Sequence, residues 1–232
     1  MTKIHFISYG DDKFPKCKAR IKKEASSCGW FDSVKIYERP DISPVFYKEF
    51  KDILGMPRGG GYWLWKWDII LQRLNSINPE DFLVYCDAGV HVNKRGEERF
   101  HEYISMLKAS RDSILAFRIA ALSKHWTTKE VFTAFGCHPS LLEDPHQIMA
   151  GVLLIKNDEK TIRIFKECIE KVSNDPLIIT DFYNNSQSSQ FIDNRHDQSI
   201  FSCAIKKHGG LILPNECTFP KKPFMIHKIT RG

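Results

Sequence analysis

The chain of 232 residues has no C-x-x-C pair, although it carries seven cysteines. Cys17, Cys28, Cys86, Cys137, Cys168, Cys203 and Cys217 are scattered and odd in number. That argues against both a zinc ribbon and a disulfide framework, and points to reduced thiols in a cytoplasmic protein. No apolar run is long enough to span a bilayer. No secretory h-region is present either, since the opening MTKIHFISYG runs straight into a strand. Peripheral contact with a membrane stays open. Long Lys/Arg runs are missing too: the densest stretch, Lys13 to Lys23, is interrupted by Phe14, Pro15, Cys17 and Ile21. That excludes a basic nucleic-acid arm, and no nucleic-acid partner is expected. No repeat and no linker is visible, so residues 1–232 are taken as one domain, a length that suits a large α/β unit.

What is present is an ordinary apolar content, enough for a sizeable core, and a net charge of +6. The mild basic excess suits an anionic ligand such as a nucleoside diphosphate, but it discriminates poorly. Residues 3–9 form an apolar strand followed by Gly10-Asp11-Asp12. Helical spacing over 14–29 and a second strand at Val34–Tyr37 complete a β-α-β opening, which predicts a parallel sheet with a right-handed crossover. Helices are expected over 43–54, from Tyr62 to about Leu74, over 97–109, 159–172 and 197–208. Strands are expected at 82–86, 114–117, 148–155 (interrupted by Gly151) and 211–213. The segment 123–146 reads as an excursion over the sheet with a helix from Thr128 to Phe135, and the tail from Pro214 has no clear pattern.

Four clusters carry chemistry. The first is FLVYCDAGVHVN, residues 82–93, where an apolar strand ends at Asp87 and is followed by Ala88 and Gly89. Open α/β sheets place ligands at such carboxyl strand ends, and a metal bridging phosphates wants a hard carboxylate. A strand-end Asp that caps the next turn is the bland alternative. His91 and Asn93 fit a metal or ribose contact as well as a turn. The second is RGGGYWLWKW, residues 58–67. Its glycines let backbone N–H groups face an anion, Arg58 and Lys66 suit phosphate, and one or two of its aromatics suit a base or sugar ring. The alternative is a Gly-rich turn into an aromatic core helix. No Gly-Lys-Ser/Thr follows, and the run succeeds a helix rather than a strand, so neither a Walker loop nor a dinucleotide fingerprint is present. The third is Asn194-Arg195-His196-Asp197-Gln198-Ser199, polar groups opening an apolar helix, in which Asp197 or Ser199 also suits a cap. The fourth is Met225-Ile226-His227-Lys228, where a lone histidine needs partners to be a ligand.

Taken in order, these segments resemble GT-A glycosyltransferases over most of the chain, from Lys3 to about Arg231. They are most similar to small bacterial and viral transferases with a Gly-Tyr-Trp-Leu-Trp-Lys helix start, a Tyr-x-Asp-Ala-Gly strand end, a Gln-x-x-Ala-Gly strand and a His-Asp-Gln-Ser helix start. Here these are Gly61–Lys66, Tyr85–Gly89, Gln147–Gly151 and His196–Ser199. The resemblance implies an α/β fold: a single GT-A (Rossmann-like) domain with a mixed, mostly parallel central sheet flanked by helices. It implies transfer of a hexose or pentose from a nucleoside diphosphate sugar, a UDP-sugar in the first instance, to a glycan hydroxyl in polysaccharide or glycoconjugate synthesis. The partners implied are the nucleotide-sugar donor and a glycan acceptor.

The implied roles fall on named positions. Asp197 and Gln198 are the catalytic pair, with Asp197 holding or deprotonating the acceptor hydroxyl and Gln198 near the anomeric carbon. Ser8, Tyr9, Arg58, Tyr62, Lys66, Asp87, Ala88, Gly89 and Lys228 face the donor, while Gln147, Gly151 and His196 face the acceptor. Asp87 and His227 are the metal ligands for Mn2+ or Mg2+. Gly89 stands where such enzymes carry their last metal-ligating Asp, which shifts metal binding onto Asp87, His227 and water. The Asp-Gln pair favours retention, and a base role for Asp197 would allow inversion. The alternatives are a sugar nucleotidyltransferase, which the acidic Gly10-Asp11-Asp12 loop disfavours, and a non-catalytic nucleotide- or glycan-binding module.

Overall fold

The computed structural model describes residues 2–138 and 143–226; His227 and Lys228 lie outside the described residues. In chain order the elements are β1 (Ile4–Tyr9), α1 (Pro15–Cys28), β2 (Ser33–Tyr37), α2 (Pro44–Leu54), α3 (Gly59–Tyr62), α4 (Trp65–Ser76), β3 (Phe82–Cys86), β4 (His91–Val92), α5 (Glu97–Ala109), β5 (Ile114–Leu122), α6 (Ser123–Trp126), α7 (Lys129–Ala134), β6 (His146–Ile148), β7 (Val152–Lys156), α8 (Glu159–Asn174), α9 (Asp197–His208), β8 (Leu211–Pro214) and β9 (Phe224–Met225). Local chemistry sets many of these limits. Pro15 starts α1 with its φ already helical, and Gly29 at φ 82° stops it. Thr128 caps α7 by accepting from Val131 N, and Asp158 caps α8 by accepting from Thr161 N.

Among the described residues the main sheet has the strand order β2-β1-β3-β7-β5-β6, with β8 also paired to β5. β2, β1, β3, β5 and β8 run one way, and β7 and β6 run the other. The sheet is therefore mixed and mostly parallel, with helices on both faces. Alternate residues of β1 and β3 go to opposite layers. Phe6, Phe82 and Val84 pack with Ile21 of α1 and Phe100 of α5, whereas Ile7, Leu83 and Tyr85 pack with Trp67 of α4 and Phe201 of α9. A strand buried on both faces is apolar at every position, which is why 82–86 shows no alternation. Each such buried side chain contributes roughly 1.5–3 kcal/mol. Among the described residues no helix is long and apolar enough to cross a membrane.

Three elements depart from the sequence reading. The glycine run is not an open loop leading into a helix at Tyr62. It is the distorted turn α3, and the regular helix begins at Trp65 and continues to Ser76. The cause is a close backbone approach: Gly61 sits at φ 102°, and a Cβ on it would lie 2.6 Å from Leu54 Cα at the end of α2. Tyr62 and Trp63 then continue with positive φ before α4 can start. β5 runs on to Leu122 rather than ending at Phe117, because its second half finds β6 as a partner. The patternless tail returns as β9 and pairs with β4, placing Met225 opposite His91 just beyond Asp87.

Candidate functional site

Asp87 is the first residue past β3, and its N–H donates to Gly151 O at 2.9 Å across the β3–β7 pair. The carboxylate lies over Gly151, where a Cβ would stand 2.8 Å from Asp87 Oδ2. A side chain there would have to displace the Asp87 carboxylate, so the constraint is one of space and not of backbone angle. Tyr85, two residues earlier on the same strand face, donates its hydroxyl to Asp87 Oδ1 at 2.5 Å. Burial pushes the Tyr85 phenol well above its ordinary range, so it remains a donor.

Lys66, in the first turn of α4, is 2% exposed. Its ammonium donates to Asp197 Oδ2 at 2.5 Å and to Ala150 O at 3.1 Å, and lies 3.4 Å from Asp87 Oδ1. Lys66 thus joins two carboxylates that are 110 positions apart in the chain (197 − 87). Burial acts against its charge, but Asp197 and then Asp87 outweigh that and hold its pKa above the ordinary lysine value. Asp197 is equally buried. Burial, only partly countered by Lys66, raises its carboxyl to about 6. One ammonium facing two carboxylates leaves one negative charge in surplus. Among the described residues Asp87 Oδ2 has no hydrogen-bond partner, and the Asp87 side chain is 39% exposed. A desolvated ionic cluster with an open oxygen in a concave site is the kind of arrangement found where ligands bind.

Asp197 is delivered by a strained turn. Gln198 N donates to Arg195 O at 3.0 Å, and His196 sits at φ 53° and ψ −121°, the first central position of a type II′ turn. A non-glycine residue in such a conformation costs about 1–3 kcal/mol. The His196 ring is held in compensation: Nδ1 donates to Ile179 O at 2.8 Å, and the ring packs on Tyr62 and Trp63. Burial lowers its pKa, so the imidazole is neutral with the proton on Nδ1. Gln198 donates to Gln147 Oε1 at 2.7 Å, and Gln147 Nε2 in turn donates to Trp126 O and Thr127 Oγ1.

These groups surround a cavity of about 420 Å³ lined by Arg58, Lys66, Asp87, Gly151, Asp197 and Gln198, with Trp63, Arg195 and His196 on its wall. Other expected positions fall elsewhere. Ser8 is wholly buried, and the Tyr9 ring is stacked at 3.7 Å on Trp65, so neither lines the cavity. Tyr62 is buried with its hydroxyl on Asp181. Gln147 is 0% exposed, so it holds Gln198 in place instead of facing an acceptor. The amides of Gly60 and Gly61 donate to Pro57 O and Arg58 O and do not face an anion. Arg58 lines the cavity but is bound by Asp181 at 2.6 Å and Asp193 at 3.1 Å. Lys66 reaches a ligand only by giving up one of its partners. Ala88 and Gly89 follow Asp87 at the surface, where a Cβ on Gly89 would meet nothing within 4 Å. Arg20 of α1 pins this loop by donating to Ala88 O and Val90 O. His91 pairs with Glu24, and Asn93 donates to Pro220 O and Lys222 O, so both serve the loop. Among the described residues no group of three His, Cys, Asp or Glu side chains forms a metal cage.

Sequence reasoning named Tyr85, Trp63 and Arg195 within its motifs but gave none of them a place among the site residues. Tyr85 was hidden inside an apolar strand, and its hydroxyl two residues before the acid was the available signal. No family model matches the chain, and no curated protein matches it in sequence. Solved structures do match it in fold. The WbbM bifunctional glycosyltransferase aligns with 92% of this chain and 39% of its own at a TM-score of 0.50 and 9% identity. The chain has the GT-A glycosyltransferase fold. Mouse xyloside xylosyltransferase 1 aligns over 93% and 86% at a TM-score of 0.49 and 12% identity. Galactosyltransferase LgtC, in complex with donor and acceptor sugar analogs, aligns over 97% and 87% at 0.41 and 13%. At such identities the likeness concerns the GT-A architecture alone.

Proposed function

We propose that this chain moves a hexose or pentose from a nucleoside diphosphate sugar, UDP-linked, to a glycan hydroxyl in polysaccharide or glycoconjugate synthesis. The observation that carries this reading is the single cavity at the carboxyl end of β3 in which Lys66 joins Asp87 to Asp197. The donor's diphosphate lies on the Asp87 side and the acceptor on the Asp197 side. Asp197, with its carboxyl raised to about 6, is mostly ionised at neutral pH and accepts a hydrogen bond or the proton from the attacking hydroxyl. Gln198, fixed by Gln147, faces the sugar between them.

The surplus negative charge of the trio and the open Asp87 Oδ2 fit a hard cation that rests on one or two carboxylates plus substrate phosphates. Asp87 is the described residue that would hold such Mn2+ or Mg2+, whose chemistry when bound is to offset charge on the departing diphosphate. The protein's own part is to keep that carboxylate aimed, through Tyr85 and Lys66 on one side and the Gly151 backbone beneath.

The test is nucleotide release from UDP-glucose and UDP-galactose, with and without a glycan acceptor, in Mn2+ and in chelator. Turnover is expected in the native chain and should fall about 10²–10³-fold in Asp87→Asn. Full transfer by a folded Asp87→Asn would overturn the reading, and tight nucleotide binding without turnover would make the chain a binding module. Activity that rises as pH passes about 6 would assign Asp197 as a base. A flat profile would leave it a hydrogen-bond acceptor, the role that accompanies retention.

A further inference from the structure

Among the described residues three cations line the cavity, and two are spent inside the protein. Lys66 is held by Asp197 and Asp87, and Arg58 by Asp181 and Asp193. Arg195 is different. It is exposed, and among the described residues no carboxylate lies within ion-pair distance. Its guanidinium carbon lies 4.0 Å from the Trp126 ring centroid. Its backbone is tethered as well, with the N–H donating to Trp126 O and Ser199 Oγ, both at 3.1 Å. A guanidinium held against an indole keeps its planar fork of N–H donors presented as a unit, the form that suits a carboxylate or phosphate.

The topology says which wall Arg195 occupies. Trp126 follows β5, and its carbonyl receives Gln147 of β6, so Arg195 stands over the β5–β6 edge of the sheet. Asp87 stands at the end of β3, next to β1 and on the far side of β7. Asp197 and Gln198 continue directly from Arg195 in the same turn. Among the described residues every other charged group at the cavity is paired or negative, so an anion entering from the β5–β6 edge finds Arg195 as its counter-ion.

We propose that Arg195 binds a carboxylate or phosphate on the acceptor, so that the acceptor of this transferase is an acidic sugar. The inference rests on the glycosyl-transfer reading for the word acceptor, but its test does not need turnover. Glucose, glucose 6-phosphate and glucuronate are titrated separately into the native chain, Arg195→Ala and Arg195→Lys by NMR, with UDP as the reference ligand. At least one acid is expected to bind the native chain about tenfold more tightly than glucose, the scale of a charge-assisted pair. Arg195→Ala should erase that preference and Arg195→Lys should keep only part of it, while UDP affinity stays the same in all three. Preference for glucose 6-phosphate alone identifies phosphate, and for glucuronate alone carboxylate. Equal binding of glucose and both acids by the native chain overturns the proposal. So does loss of UDP affinity in Arg195→Ala, which would put Arg195 on the donor. Acid preference without any UDP binding would sink the nucleotide reading and leave this one standing.

Discussion

Two ionic clusters in this protein use the same chemical groups to opposite ends. On the surface layer, Glu216 accepts from Arg99 Nε at 3.0 Å and Nη2 at 2.6 Å, from Tyr103 at 2.8 Å, and pairs with Lys222 at 2.8 Å. Burial there works against the charge, but Arg99, Lys222 and Tyr103 win and draw the Glu216 carboxyl down to about 2. In the cavity, Asp197 has a lysine at 2.5 Å, yet its carboxyl is raised to about 6. The difference is count and solvent. Around Glu216 two cations serve two carboxylates, since Arg99 also binds the exposed Glu102, and water still reaches the edges. Around Lys66 one cation serves two carboxylates, of which Asp197 is buried with it and Asp87 keeps an exposed edge. The first cluster fastens the returning tail to α5. The second holds unbalanced charge in place, which a folded protein tolerates only where packing over-determines it.

The contrast is tested first by breaking each cluster at its cation. Lys66→Met leaves Asp87 and Asp197 without a counter-charge, and urea unfolding should show a loss of about 3–5 kcal/mol. Arg99→Met removes hydrogen bonds to a charged group that keeps Lys222, with an expected loss of about 1.5–3 kcal/mol. Equal losses would mean the two clusters are not different in kind. Next comes activity. Asp87→Asn should cut transfer by about 10²–10³-fold, the scale of a lost electrostatic contact at a reacting centre. Glu216→Gln should leave transfer unchanged when both are assayed for nucleotide release.

The pH dependence should run in opposite directions. Glu216 is depressed from 4.5 to about 2, so its contribution is present above 4.5 and is lost as pH falls towards 2. Asp197 is raised from 3.8 to about 6, so the folded state binds its proton more tightly than the unfolded chain. Its contribution is full below 3.8 and is lost as pH rises through about 6. The stability gap between the native chain and Asp197→Asn should therefore shift in the native chain's favour from pH 7 to pH 4. The gap to Glu216→Gln should shrink from pH 5 to pH 2. Denaturation curves at stepped pH check both signs.

The smallest effects concern the two glycines beside Asp87. Gly151→Ala would push on Asp87 Oδ2 and should cost about 10- to 100-fold in transfer, as misplaced catalytic groups do. Gly89→Asp meets open space, and its stability should stay within about 0.5 kcal/mol of the native chain. Calorimetry with Mn2+ should show tighter binding in Gly89→Asp than in the native chain, because a second carboxylate joins Asp87. A clash-like loss of stability in Gly89→Asp would contradict the open geometry.

The apolar runs with polar ends were legible because both faces of a central strand are buried and its ligand-facing end is not. Thus β3 ending at Asp87, the interruption at Gly151 and the helix starting at Asp197 could all be read from residue order. The distorted turn at Gly61 could not, since it depends on how close Leu54 comes. Nor could β9, whose two residues are a strand only because β4 lies beside them. Gln147 looked like a pocket residue and is a support, because its hydrogen-bond partners come from Trp126, Thr127 and Gln198, all remote in sequence.

By itself the sequence determined the longer strands and helices, since burial on one or both faces imprints a period on the residues that form them. It also determined which polar groups stand at element ends. Only the tertiary structure decided how those groups share charge. Lys66, Asp87 and Asp197 are each ordinary in isolation. Packing α4, β3 and α9 around one cavity makes a single ammonium answer to two carboxylates, and among the described residues leaves Arg195 as the cavity cation with no carboxylate partner.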